Sequence, residues 1–188
     1  MGMDFEQAND VVRALRRLAM SQRGRKVEML REYGLQPGQD VVLLELAEIH
    51  ARVGARDASR TAAMRAAELA RTLGSAELLA LAALRYGGEH VPSFELDETR
   101  IRLLEESLAA FGSQEDELVA RLLRRLAVDL AFVDAARAAE RADQSVAMAR
   151  RIGKPGVLAW ALSGRHYSLG AAERLDERLI ISREMLAV

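Results

Sequence analysis

The feature that most constrains this chain is an internal repeat. Residues 69–82 align without a gap on residues 148–161, so that equivalent residues lie 79 positions apart, and a fainter copy lies around residues 111–120. The identical pairs are Ala70/Ala149, Arg71/Arg150, Gly74/Gly153, Leu79/Leu158, Ala80/Ala159 and Ala82/Ala161. Glycine commonly follows the last residue of a helix. Three glycines placed in this way are spaced 38 and 41 residues apart: Gly74, Gly112 and Gly153.

The repeating unit is therefore a helical hairpin of about 40 residues, which is the length of known helical repeats. Four such hairpins fit the sequence, at residues 40–73, 76–111, 115–152 and 156–188. One hairpin cannot bury its apolar face alone, whereas stacked hairpins bury a continuous core. We therefore expect an all-α protein with hairpins stacked as a short α-solenoid, preceded by an extra N-terminal helix and turn in residues 1–39. An ordinary helical bundle with a chance internal similarity is the alternative.

Composition agrees with an all-helical fold and excludes several functions. Half of the residues are hydrophobic but only 4% are aromatic, and good helix formers such as Leu, Ala, Arg and Glu dominate. The chain has no cysteine, which excludes disulfides, thiol catalysis and cysteine-ligated metal centres. The formal net charge of −1 gives no general attraction to nucleic acid or membranes. No apolar run reaches the roughly 18 residues that a transmembrane helix needs, and no signal peptide is visible, so we expect a cytoplasmic protein.

Residues from about 50 to 188 resemble a known family. The similarity lies in residues 66–71 (AAELAR), 83–90 (ALRYGGEH), 103–108 (LLEESL) and 158–162 (LAWAL), and continues through Arg165–Arg178. These segments are similar to the tetratricopeptide-like region of large actinobacterial regulators, where it separates an ATPase module from a LuxR-type helix-turn-helix. The resemblance implies a protein-interaction role in transcriptional regulation. Neither the ATPase nor the helix-turn-helix is in this sequence, so that role would rest on the solenoid alone.

The N-terminal 48 residues resemble a different family. Residues 32–46 (EYGLQPGQDVVLLEL) are similar to the start of MarR-type regulators, in which a long first helix leads through a Gly-Leu-x-Pro turn into the second helix. In that family the first helix helps to form the dimer. The recognition helix and β-wing that read DNA in that family have no counterpart downstream here. The resemblance nevertheless implies an alternative function, a MarR-like DNA-associated transcriptional regulator.

Catalytic and metal-binding motifs are not found in the sequence. Gly153-Lys154 lacks the upstream glycine of a phosphate loop and is followed by Pro155, and the sequence has no Gly-x-Ser-x-Gly elbow and no His-Glu-x-x-His. The three histidines, His50, His90 and His166, are far apart in the chain. A metal or acid–base site would form only if the fold brought His90 and His166 together with Glu89. We therefore predict no catalytic residue, no metal and no cofactor.

Basic residues cluster near the N-terminus. Residues 13–31 contain seven basic residues and only one acidic residue, a glutamate. A basic patch of this kind can contact phosphates. The aromatic residues that stack on single-stranded bases are absent from it, so a solvated face or a face that meets acidic groups on a partner is preferred. The weak nucleic-acid candidates are Arg13, Arg16, Arg17, Arg23, Arg25 and Lys26. Solvated stripes are also predicted for Arg121, Arg124 and Arg125 and for Arg150 and Arg151.

Aromatic and arginine side chains from matching parts of the second and fourth hairpins are the candidate partner-binding residues. Side chains of these types are the usual hot spots of protein interfaces, and solenoids bind peptides or helices on their concave face. The candidates are Arg85, Tyr86, His90, Trp160, Arg165, His166 and Tyr167. Trp160 lies at helical spacing from Leu158 and Leu162, which is also typical of a core residue.

A protein partner is the expected ligand of this surface. We expect a peptide, a helix or a second copy of the chain, as a homodimer or in association with a larger regulator. The apolar residues Leu186-Ala187-Val188 favour such association because no polar capping helix follows them. A small-molecule sensor with a pocket between helices remains a further alternative.

Overall fold

The part of the protein that the structure describes is entirely helical. The structure is a computed structural model, and it describes residues 39–86, 88, 97–169 and 174–188. Contacts divide the chain into two compact units, residues 1–41 and 42–188, and the described helices lie in the second except for the first residues of the first helix. Within the described ranges there are eight α-helices and no strand, which confirms the all-α prediction. The helices are α1 (Gln39–Arg52), α2 (Arg56–Thr72), α3 (Ala76–Arg85), α4 (Glu98–Phe111), α5 (Glu117–Leu130), α6 (Ala135–Ile152), α7 (Pro155–Ser168) and α8 (Leu175–Ala187).

The helix ends follow from local sequence. Ser75, Asp97, Asp116 and Asp134 each precede a helix, and their side chains accept hydrogen bonds from backbone N–H groups of the first turn. At the other ends, the three repeat glycines all have a positive φ, which is 71° at Gly153. An L-residue with a Cβ rarely adopts that conformation. The glycine spacing therefore marks real helix ends, as the sequence predicts.

Neighbouring helices pack on each other in chain order, and one row of helices is packed more closely than the other. The first helices of the second, third and fourth predicted hairpins are α3, α5 and α7, and α5 packs directly on both α3 and α7. The backbones of the second helices, α2, α4, α6 and α8, do not approach each other as closely. Small side chains make the close row possible: Ala80, Ala82 and Ala161 are almost fully buried. At Gly164 of α7 an added Cβ would lie 2.5 Å from Cγ of Arg124 on α5.

Long ionic side chains connect the second helices. Arg71 of α2 donates two hydrogen bonds of 2.6 and 2.8 Å to Glu106 of α4, and Arg150 of α6 donates one of 2.8 Å to Glu184 of α8. Arg71 and Arg150 are equivalent in the internal alignment, so the two copies of the sequence repeat make the same kind of contact. The hydrogen bonds from Arg71 also lower the pKa of Glu106 below its usual value. Exposed pairs of this kind each contribute only about 0.2–1 kcal/mol.

A buried charge network connects α4 to α5. Asp129 accepts hydrogen bonds of 2.7 and 2.6 Å from Arg100 of α4, and its carboxylate also pairs with Arg125 one turn earlier on α5 at 3.0 Å. All three side chains are less than 5% exposed. Burial, followed by the neighbouring Arg125, lowers the pKa of Arg100. The prediction of a solvated Arg121–Arg124–Arg125 stripe is therefore wrong for Arg125, which two helices enclose around a shared carboxylate.

Removing the shared carboxylate should be costly. We expect Asp129→Asn to lower the free energy of unfolding by about 3–5 kcal/mol, because it leaves two buried guanidinium groups without their common anion. Urea denaturation followed by circular dichroism measures this change. The matched control is Asp57→Asn, whose carboxylate is fully exposed and should change stability by less than about 0.5 kcal/mol. Equal effects of the two substitutions would contradict a structural role for the network.

The glycine at the end of α6 provides a second test. Gly153→Ala should destabilise the protein by about 1–2 kcal/mol, because alanine must adopt the left-handed conformation that Gly153 has. Gly156→Ala, three residues later, is the matched control. An added Cβ at Gly156 meets no atom within 4 Å and the φ there is not positive, so we expect less than about 0.5 kcal/mol. Thermal or urea unfolding of both variants would show whether Gly153 is required.

Candidate functional site

Two adjoining clefts run across the exposed side of the closely packed helices α3, α5 and α7. The larger has a volume of about 620 Å³ and the smaller about 450 Å³, and both are lined by Glu117 and Arg121 of α5. We refer to the two together as the groove. The other residues that line the larger cleft are Ser75, Ala76, Glu77, Leu81, Phe111, Gln114, Asp116 and Leu118. Those that complete the smaller one are Lys154, Gly156, Val157 and Trp160.

Equivalent positions of successive hairpins line the groove. Leu81, Arg121 and Trp160 are the fifth or sixth residues of α3, α5 and α7, and each lines one of the clefts. Leu81 and Trp160 are also equivalent in the 79-residue alignment. Because the three helices pack side by side, one turn of each contributes a side chain to the same surface. The chain thus presents an aliphatic, a cationic and an aromatic group in a row.

Trp160 is held in place by its neighbours while it remains 42% exposed. The Arg124 guanidinium lies 4.5 Å from the centre of the indole ring, a cation–π distance. Arg124 Nε also donates a 3.1 Å hydrogen bond to Oγ of Ser163, and that hydroxyl donates a 2.7 Å bond to the carbonyl of Trp160. Contacts from α5 and from its own helix therefore order this aromatic ring before any ligand binds, and pre-ordering reduces the entropy cost of binding.

Both signs of charge occur on the walls of the groove. Lys154 Nζ donates a 3.0 Å hydrogen bond to Glu117, and beside it Arg151 pairs with Glu115. Asp116 is occupied as the N-cap of α5, where it accepts a 2.7 Å bond from the Leu118 N–H. Apolar residues, among them Leu118, line the same clefts as these charged groups. A surface that combines apolar and charged side chains is typical of protein and peptide recognition.

Two predicted partner-binding residues lie at the end of α3, away from the groove. Arg85 is near the carboxylates of Glu45 and Glu48 on α1, at 3.8 and 4.0 Å. Tyr86 is buried in the core, where the Arg60 guanidinium lies 5.7 Å from its ring centre. Burial raises the pKa of Tyr86. Its ring is therefore enclosed by other parts of the chain.

Three more candidates lie at the end of α7. Arg165 pairs with Asp143 of α6 and donates a 3.4 Å bond to the carbonyl of Ala139. The Tyr167 ring packs edge-on against Phe132 with ring centres 6.0 Å apart. Burial, together with the charge of Arg178, lowers the pKa of His166. None of Arg165, His166 and Tyr167 lines the groove.

The predicted residues thus form separate groups. Arg85 and Tyr86 lie at the end of α3, the other described candidates lie on α7, and α5 packs on both helices. Of the described candidates, Trp160 alone lines the groove. His90 and the basic cluster Arg13, Arg16, Arg17, Arg23, Arg25 and Lys26 lie outside the described residues. Among the residues that are described, no group of three His, Asp or Glu side chains could hold a metal ion. No helix in the described ranges is long and apolar enough to cross a membrane.

Leu81 and Glu117 were not predicted from the sequence as site residues, and Arg121 was predicted to belong to a solvated stripe. A signal for them was present, because Leu81, Arg121 and Trp160 are spaced 40 and 39 residues apart, close to the repeat length. No protein-family model, curated protein or solved structure matches this chain.

The environment of His166 makes a pH dependence testable. Its pKa is lower in the folded than in the unfolded chain, so the folded state binds fewer protons near that pKa. Stability should therefore decrease as the pH falls through the ordinary histidine pKa of about 6.5. We expect His166→Gln to flatten the change in the free energy of unfolding between about pH 7.5 and 5.5.

A second substitution at the same position provides the comparison. His166→Asn removes the same imidazole, so its pH profile should be flattened to the same extent as that of His166→Gln. Urea midpoints measured at several pH values give the profiles. A His166→Gln profile as steep as that of the unsubstituted chain would contradict the assigned environment.

Proposed function

We propose that this chain is a non-enzymatic protein-interaction module of the tetratricopeptide-like type that acts in transcriptional regulation in the cytoplasm. Its hairpins stack as a short α-solenoid, and a peptide or helix of a partner protein binds in the groove over α3, α5 and α7. The regulatory setting is implied by the resemblance of residues 50–188 to the helical region of LuxR-type regulators. The observation that carries the binding role is the half-exposed Trp160, ordered beside Arg121 in a groove.

The packing pattern supports the solenoid. In a stack of hairpins, the first helices of successive units form one layer and the second helices another. The packing of α5 on both α3 and α7 fits the first layer, and the ion pairs from α2 to α4, α4 to α6 and α6 to α8 fit the second. The positive-φ glycines recur at the repeat length of about 40 residues, and the equivalent ion pairs of Arg71 and Arg150 lie 79 residues apart, about two repeats. A bundle with chance similarity has no reason to repeat backbone conformation and side-chain contacts at the same interval.

The chemistry of the groove supports a peptide rather than a small molecule. Its volumes are within the range of small-molecule pockets, but such pockets enclose their ligands and have few polar groups. Here five charged side chains line the two clefts: Glu77, Asp116, Glu117, Arg121 and Lys154. Two adjoining clefts with equivalent residues from successive helices suit an extended ligand that contacts several hairpins.

The groove can be tested with peptide ligands selected on the intact chain from a random display library. Trp160 is the single tryptophan of the chain, so its emission reports binding at the groove. We expect selected peptides to change this emission, and we expect Arg121→Glu and Trp160→Ala each to weaken binding by about tenfold or more. Fluorescence anisotropy of labelled peptides measures the affinities, including that of the Trp160→Ala variant.

Arg102→Glu is the matched control for Arg121→Glu, because Arg102 is exposed on α4 and does not line the groove. Its affinity for the selected peptides should equal that of the unsubstituted chain. Peptides that bind with equal affinity to the Arg121→Glu and Trp160→Ala variants and to the unsubstituted chain would contradict the proposed site.

The MarR-like alternative depends on the N-terminal basic cluster, which lies outside the described residues. It differs from the proposed function in its salt dependence, because phosphate contacts make affinity fall steeply as salt increases. A gel-shift titration over a salt series separates the two functions: duplex binding with a steep slope would favour the DNA-associated regulator.

A further inference from the structure

Helix α8 is apolar on two sides. On its inner side Ile181 is buried and Met185 packs against the second core cluster, together with residues of α5, α6 and α7. On its outer side Leu175, Leu179 and Ile180 are 57%, 49% and 63% exposed. A helix with apolar residues on both sides is normally covered on both. The outer side of α8 therefore fits an apolar partner surface.

Only two charged residues occur on this outer side. Asp176 and Arg183 are both exposed, opposite in sign and seven residues apart. Neither has an ion-pair partner among the described residues, whereas Glu177 pairs with Arg174 at 2.7 Å and Glu184 with Arg150 at 2.8 Å. On the outer side of α8, the two charges that have no ion-pair partner among the described residues are thus the two that a docked molecule would meet.

The spacing of these charges identifies the partner. The midpoint between Asp176 and Arg183 falls between Leu179 and Ile180, at the centre of the exposed apolar face. We propose that α8 docks antiparallel on α8 of a second copy of this chain, about a two-fold axis at that midpoint. Asp176 of each copy then lies opposite Arg183 of the other, about 5 Å along the helix from the axis. Leu179 and Ile180 pack against the same residues of the second copy.

A second exposed apolar stripe, on α1, offers a rival arrangement. Val42, Leu46 and Ile49 are more than a third exposed, so α1 of one copy could pack on α8 of another. However, the charged residues that flank this stripe already have ion-pair partners within the chain: Arg52 donates to Glu48, and Glu45 lies near Arg85. Such a head-to-tail contact does not close on itself unless a ring forms, whereas the α8 pair gives a closed dimer.

Sedimentation velocity of the full chain over a concentration series tests the proposal. We expect a dimer at about 100 µM chain, and we expect Ile180→Glu to be monomeric at the same concentration. Ile180 is exposed, so the variant should keep the circular dichroism spectrum and melting temperature of the unsubstituted chain. Leu46→Glu on α1 is the matched control and should leave the dimer intact.

A charge exchange tests the antiparallel geometry without touching the apolar residues. Asp176→Arg and Arg183→Asp should each raise the dimer dissociation constant by about tenfold, since each places like charges opposite one another twice. The double variant restores opposite signs and should return the constant to within about threefold of its original value.

Three results would overturn the proposal. The first is a monomeric unsubstituted chain at about 100 µM, and the second is a dimer that Ile180→Glu does not weaken. The third is an assembly that keeps growing with concentration and is disrupted by Leu46→Glu, which would assign the contact to α1 and α8. Because the interface is on α8, its outcome is separate from peptide binding at the groove, which Ile180→Glu should leave unchanged.

Discussion

The packing of α5 against both α3 and α7 is the contact on which the rest of this unit depends. None of these helices can bury its apolar residues alone, and α5 reaches both neighbours because small residues occur where the helices meet. Gly164 is the clearest instance, since even a methyl group there would collide with Arg124. The same contact holds the Arg124 guanidinium against the Trp160 ring. Core packing and the order of the groove therefore have one physical origin.

Two kinds of interaction hold the helices together. Direct packing connects α3, α5 and α7, whereas charged side chains connect α2 to α4, α4 to α6 and α6 to α8. Exposed pairs such as Arg71–Glu106 add little stability individually, but each restricts how two helices that do not pack directly can move apart. The buried Asp129 network differs in kind, since removal of one partner leaves charge in the core. Loss of one exposed ion pair should therefore change the stability little, whereas loss of Asp129 should change it strongly.

Much of the fold could be predicted from the sequence, because helix ends are local features. Gly153 and Asp134 mark the ends of α6 through backbone conformation and capping, both of which depend on neighbouring residues alone. The environment of an arginine, by contrast, depends on residues that are distant in the sequence. Arg125 has the sequence context of a solvated helix face, yet it is buried because Asp129 one turn later and Arg100 on another helix share its site. The groove was partly predictable, since Trp160 was identified as a candidate from the sequence. Arg121 could not be identified in this way, because it lines the groove only through the packing of α5 against α3 and α7.

The central claim is that the hairpins stack in a row, so that successive helices line one surface. Spin labels on introduced cysteines test it directly, because the chain has no cysteine of its own. Suitable exposed positions are Arg65 on α2, Arg102 on α4, Glu140 on α6 and Ala187 on α8. With labelled chains diluted in unlabelled chain, the account predicts that the electron–electron distance from residue 65 increases in the order 102, 140, 187. A distance from 65 to 187 as short as that from 65 to 102 would show a closed bundle and contradict the stack.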